Sequence, residues 1–314
     1  MVNRRHIRSK VLQTIYAMTH NQSDQLDVYQ RYLLNSIENI RELYLVMLSA
    51  LTELHQTEKE FLELSSRKYL ATDEELNPNT KFVDNAILNM LADSESLGRW
   101  MEELRINHFN VNEHYIKELL IDIKNSELYN DYMNDETQGF NEDKQFVIQL
   151  FVDFIAPNEK IYEFLEDNKM SWIDDIPVVN TEILRQLEGL KSTKDRIKIA
   201  RVFKNDEDRD FAEQLFKKTA LNADVFVKEY EDKTRNWELE RLAEIDGIIL
   251  NMAVCELQKF PSIPVKVTIN EYLELAKDYS TPKSSIFING ILDSLVKEYK
   301  NENKLNKIGR GLIE

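Results

Sequence analysis

The chain has 314 residues, 42% of them hydrophobic and 31% charged, with seven Gly, six Pro and a single Cys. This composition excludes a disordered polar chain and a disulfide scaffold, and so few turn-formers argue against a many-stranded fold. The expected class is therefore all-α. The net charge of −16 is spread unevenly: residues 1–23 carry four Lys/Arg and no acid, residues 24–205 carry 20 against 35, and residues 206–314 carry 16 against 21. No apolar run approaches the roughly 18 residues of a membrane span, and the basic N-terminus lacks a signal peptide's apolar stretch, so no membrane association is expected. The lone Cys255 fits a reducing, cytoplasmic setting.

The first predicted helix runs from Arg4 to Met18, with Ile7, Val11, Ile15 and Met18 as its buried stripe. Arg4, Arg5 and Arg8 gather toward another side. Taken alone they form either a solvated basic face or an anion-binding one. Residues 24–66 read as one long helix or a kinked pair. There Leu33, Ile37, Ile40, Tyr44, Met47, Leu51 and Leu54 alternate spacings of four and three, as in a coiled-coil seam. A turn is expected at Leu76–Asn79, with helices near 82–103, 112–129, 142–155 and 158–168. Polar residues 130–141 read as an exposed loop, and Asn180 as the cap of a helix reaching Leu190.

From Asp206 another helix opens, its acids favourably placed against the helix dipole. Trp237–Leu257 is the next, with Leu242, Ile245, Ile249 and Met252 as its stripe. Phe260-Pro261 and Ile263-Pro264 end it. Thr268 and Glu271 have capping-box spacing, and Ile269, Tyr272, Leu273 and Ala276 form the buried face of the helix they open. Ser284 or Ser285 starts the last main helix, with Ile288, Ile291, Leu292, Leu295 and Tyr299 facing inward.

Enzyme signatures are missing. There is no phosphate-binding Gly-rich loop and no H-E-x-x-H, and the five His show no metal-ligand spacing. Cys255 reads as a small core residue. No catalytic residues, metal or cofactor are expected.

Two segments carry more. Arg4-Arg5-His6-Ile7-Arg8-Ser9-Lys10-Val11-Leu12-Gln13-Thr14-Ile15-Tyr16 lies at the N-terminus. Pro264-Val265-Lys266-Val267-Thr268-Ile269-Asn270-Glu271-Tyr272-Leu273-Glu274-Leu275-Ala276-Lys277 and Phe287-Ile288-Asn289-Gly290-Ile291-Leu292-Asp293 lie near the end. In this order they resemble the NusB family, small all-helical RNA-binding factors of bacterial transcription antitermination. The resemblance covers residues 1–20 and about 206–300. It implies two helical bundles. The first takes residues 1–20 and 206–233, with part of 24–66. The second takes residues 234–314. An acidic helical insert, 24–205, lies between the first and third family helices.

The resemblance implies an RNA-binding face of Arg4, Arg5, Arg8, Lys10, Gln13, Tyr16, Tyr279, Lys283, Phe287 and Asn289. Arg and Lys would hold phosphates while aromatics stack on unpaired bases and amides read their edges. It implies boxA-type single-stranded RNA as ligand, the ribosomal protein NusE as partner, and a place in the RNA polymerase antitermination complex. Asp246 matches an acid of the NusE-binding surface. Asn251 stands where relatives usually carry Arg, and Lys283 lies in an expected loop where they often carry an acid. For Glu271 the capping role is the favoured reading. The competing function is a helical scaffold that has lost RNA binding, which the acid-rich middle would suit. An RNA methyltransferase with a NusB-like domain is a weaker competitor, because the chain lacks the Gly-rich loop and strand alternation such an enzyme needs.

Overall fold

The computed structural model describes residues 1–233 and 244–312. Among them there are helices and no strand, as the composition predicts. They divide into two compact units: residues 2–37 with 203–314, and residues 38–202 together with Met1.

Helix α1 spans Arg4–His20, capped by Asn3, whose side chain accepts from the His6 amide. Helix α2 is Leu26–Glu38 and α3 is Ile40–Ser66, so the kinked pair is realised with its break at Asn39. All seven residues of the predicted seam are buried. The seam is nevertheless only part of what α3 buries, because every residue from Leu43 to Leu51 is inaccessible. A helix apolar on all sides belongs in a core rather than in a two-helix coil.

Around α3 the 38–202 unit arranges its other helices. These are α4 (Asp73–Leu76), α5 (Ala86–Ala92), α6 (Glu95–Glu103), α7 (His108–Val111), α8 (Glu113–Lys124), α9 (Glu127–Asn134), α10 (Phe140–Leu150), α11 (Glu159–Asn168) and α12 (Ile176–Gly189). Helices α4 to α8 and α12 pack on α3, and α10 packs on α5, α9 and α12. A π-helical turn continues α10 over Phe151–Ile155. Asn85 both caps α5 and ties it outward: its Oδ1 accepts from the Ile87 and Leu88 amides, and its Nδ2 donates to Tyr132 at 3.0 Å. Four sequence expectations need correction. The helix expected near 112–129 is two, α8 and α9, parted by Asn125 and the capping Ser126. Residues 130–134 belong to α9, so the loop is shorter than its polarity suggested. Helix α12 starts at Ile176, with Pro177 in its first turn, where a missing N–H costs nothing; Asn180 lies inside it. The 82–103 stretch is two helices, parted by Asp93 and the capping Ser94.

The other unit continues with α13 (Asp206–Leu221) and α14 (Ala223–Tyr230), then α15 (Glu244–Lys259), α16 (Val265–Tyr279) and α17 (Pro282–Asn301). The predicted start at Trp237, and Leu242 of that stripe, lie outside the described residues. Helix α15 is central here: Ile248 to Leu250 and Met252 to Leu257 are all buried, and α1, α13, α14, α16 and α17 pack around it. Helix α16 begins at Val265, three residues before Thr268, so the Thr268–Glu271 capping box does not form. Its inward residues are Thr268, Tyr272, Leu275 and Ala276; Ile269 and Leu273 are only half-buried. Thr281 caps α17, and all five of the inward residues predicted for this helix are buried. Cys255 is fully buried and burial pushes its thiol up to about 12, a packing residue rather than a nucleophile.

Candidate nucleic-acid interface

The N-terminal motif folds as α1 because its apolar residues recur every three to four positions, and that stripe docks α1 against α13, α15 and α16. Docking fixes the fate of each basic side chain. Arg8 is buried at 2% exposure, and its guanidinium forks onto Glu256 at 2.8 and 2.7 Å. Glu256 is wholly buried and accepts two further bonds, from Thr268 at 2.9 Å and Tyr272 at 3.2 Å. Four donors on one carboxylate leave no buried lone pair unserved. Burial opposes the Arg8 charge, but the Glu256 carboxylate more than offsets it and holds Arg8 above its ordinary range. Lys10 is buried too, at 1%. Arg8 and Lys10 are thus not available as phosphate contacts in this structure. Arg8 faces Glu256 on α15, and Lys10, two positions on, is buried on another side of α1, which is covered all round from His6 to Leu12.

Arg4 and Arg5 stay nearer the surface. Arg4 donates to Asp208 at 3.0 Å and lies over the Phe211 ring, 5.1 Å from its centroid. Arg5 forks onto Glu271 at 3.1 and 3.0 Å, and that carboxylate raises its pKa. A groove of about 560 Å³ runs past Arg4, Arg5 and Arg8, walled by Pro264, Val267 and Glu271. Sequence reasoning missed Asp208, Glu256 and Glu271 as the carboxylates holding this cluster. Glu271 had the right type and spacing for a cap, and only helix docking shows where its side chain goes.

The two motif segments do meet. Gln13 on α1 donates through Nε2 to the Tyr279 hydroxyl at the end of α16, at 3.2 Å and across 266 residues of sequence. Tyr16 is exposed at 38% and stacks on His20. Phe287 and Asn289 lie half-buried on α17. Asn289 borders a second groove of about 600 Å³, with Lys266, Lys300 and Lys307 in its wall. The first turn of α16 stands between the grooves, since Pro264 and Val267 line one and Val265 and Lys266 the other. Lys283 is exposed, but in the first turn of α17 rather than in a loop. Asp246 is buried at 5%, accepting from the Ser284 hydroxyl at 2.8 Å. It ties α15 to the start of α17 and presents no carboxylate to a partner surface. Asn251, at the position of the usual Arg, accepts from the Tyr230 hydroxyl at 3.0 Å.

The NusB family model matches residues 186–297. The transcription antitermination protein NusB of Salinibacter ruber is 46% identical over 114 residues, which cover 34% of this chain and 69% of that protein. The chain belongs to the NusB family. The NusB of Chloroherpeton thalassium is 49% identical over 79 residues, 25% of this chain and 37% of that protein. The NusB of Thermodesulfovibrio yellowstonii is 41% identical over 100 residues, 32% of this chain and 66% of that protein. No solved structure matches the chain. The NusB model begins inside α12, some 20 residues ahead of the expected Asp206, and does not reach the α1 motif. Among the described residues no helix is long and apolar enough to cross a membrane.

Proposed function

We propose that this NusB-family chain is a non-catalytic transcription antitermination factor that binds boxA-type single-stranded RNA together with NusE, within the RNA polymerase antitermination complex. The observation that carries the reading is the Gln13–Tyr279 hydrogen bond: the N-terminal and C-terminal motif segments, far apart in sequence, form one junction of α1 with α16. The same helix α1 carries an exposed aromatic, Tyr16, and, at its start, two arginines at the rim of a groove, Arg4 and Arg5. Tyr16, Tyr279, Phe287 and Asn289 take the bases. Arg4, Arg5 and Lys283 take phosphates.

The test is fluorescence anisotropy with labelled boxA-type RNA, with and without NusE. Tyr16→Ala and Phe287→Ala are each expected to cost about 1–3 kcal/mol of RNA affinity, the usual worth of one base–aromatic stack. A second reading has its own support, because Arg4, Arg5 and Arg8 already hold carboxylates of this chain. A helical scaffold that does not bind RNA fits that pairing. Absence of boxA binding even with NusE present decides for the scaffold.

A further inference from the structure

The 38–202 unit is strongly acidic, yet it ends in a strip of opposite sign. Lys191, Lys194, Arg196, Lys198 and Arg201 fall within eleven residues that contain a single acid, Asp195. The strip is not helical, and all five cationic side chains are exposed. None of the five forms an ion pair with a described carboxylate, in contrast to Arg4, Arg5 and Arg8. Asp195 is itself engaged by the backbone, its Oδ2 accepting from the Lys191 and Ser192 amides at 2.6 and 3.1 Å.

The main chain beneath these cations is held in place. The Lys144 ammonium donates to the Leu190 carbonyl at 3.0 Å, and Gln186 Nε2 donates to the Lys198 carbonyl at 2.6 Å. The Met1 amino group donates to the Arg201 and Val202 carbonyls at 2.6 and 3.1 Å. Ile197 and Val202 are buried at 5% and 1%, anchoring the strip while its charges point outward. Beside it lies a groove of about 590 Å³, whose wall includes Arg185, Lys191, Arg196 and Lys198. The groove's other acid, Glu182, is paired with Arg185.

A fixed row of unpaired cations has the chemistry of a backbone-phosphate cradle, since each phosphate neutralised releases counterions. A protein-docking surface would instead need aromatic or aliphatic anchors. Among the described residues no large apolar side chain between 190 and 204 is exposed. We propose that the 191–201 strip is a second, sequence-independent contact for single-stranded RNA, carried by the 38–202 unit. The choice of RNA over other polyanions rests on the function proposed above, but the strip shares no residue with the site assigned there.

The test uses the full chain without NusE, with labelled RNA of two kinds, a boxA-type sequence and an oligouridylate of equal length, titrated at several salt concentrations. Arg196→Ala/Lys198→Ala is expected to weaken both RNAs alike at low salt. The same double variant should flatten the log–log salt slope by about 1.4, the value for two lost contacts on a single strand. Arg196→Glu/Lys198→Glu should weaken both further. Unchanged affinity and slope in both double variants overturns the strip. So does an absence of oligouridylate binding by the unaltered chain at low salt. The boxA reading is judged separately, by Tyr16→Ala and Phe287→Ala with NusE present, so either proposal can fail alone.

Discussion

Arg8 and Arg5 sit three residues apart on one helix and have opposite roles. Arg8 and Glu256 form a buried, fully bonded pair, so removing Arg8 strands a carboxylate in the core, and removing Glu256 leaves Arg8 only its longer contact with Glu271 at 3.4 Å. Arg8→Ala and Glu256→Ala are each expected to lose about 3–5 kcal/mol of stability in chemical denaturation. Arg5 pairs with Glu271 at the surface, where such pairs contribute about 0–1 kcal/mol. Arg5→Ala should therefore leave the denaturation midpoint nearly unchanged. If Arg5 holds a phosphate, the salt slope for boxA-type RNA should flatten by about 0.7. An Arg8→Ala variant as stable as the unaltered chain would remove the structural role assigned to that pair.

Helix ends and helix middles give the next scale. Lys283 occupies the first turn of α17, where a cation opposes the helix dipole and a carboxylate complements it. Lys283→Glu is thus expected to act in two directions. It should raise stability by about 0.3–1 kcal/mol and lower RNA affinity at low salt, the loss shrinking as salt screens the charge. Thermal melts and anisotropy on one sample separate the two effects; a fall in both contradicts the helix-end placement. Along α3, Leu48 is wholly buried and Leu64 is 67% exposed. Leu48→Ala should cost about 2–5 kcal/mol, and Leu64→Ala should stay within about 0.5 kcal/mol of zero. Equal effects would mean that α3 is not the core helix of its unit.

Each of the two units is organised around one central helix, α3 in residues 38–202, buried on every side from Leu43 to Leu51, and α15 in the other. A unit with its own closed core is expected to fold by itself. The 38–202 fragment should show helical circular dichroism and a single cooperative melt. A fragment with no cooperative transition would show that its core is not self-sufficient. The placement of charge follows the same division. Both motif segments fall in the unit of residues 2–37 and 203–314, while most of the acid falls in the other. A net charge of −16 is compatible with RNA binding only because cations are gathered locally.

The sequence by itself determined the all-helical class, the seam from Leu33 to Leu54, the inward face of α17 and the NusB resemblance. These are matters of periodicity and residue order, which repeat along the chain and need no partner to be read. It also carried the basic run 191–201, legible as charge but overlooked because it falls in the most acidic third of the chain. Only the tertiary structure decided which cations are free. Arg4, Arg5, Arg8 and Lys10 look alike in sequence, but the tertiary structure buries every residue of α1 from His6 to Leu12, with Arg8 and Lys10 on opposite sides of the helix, and leaves Arg5 at the rim near its start. Glu271 and Asp246 were misplaced for the same reason. Spacing identifies a cap or a surface acid by its neighbours in sequence, whereas a carboxylate's partner is set by the helix packed across from it: α1 for Glu271, α17 for Asp246.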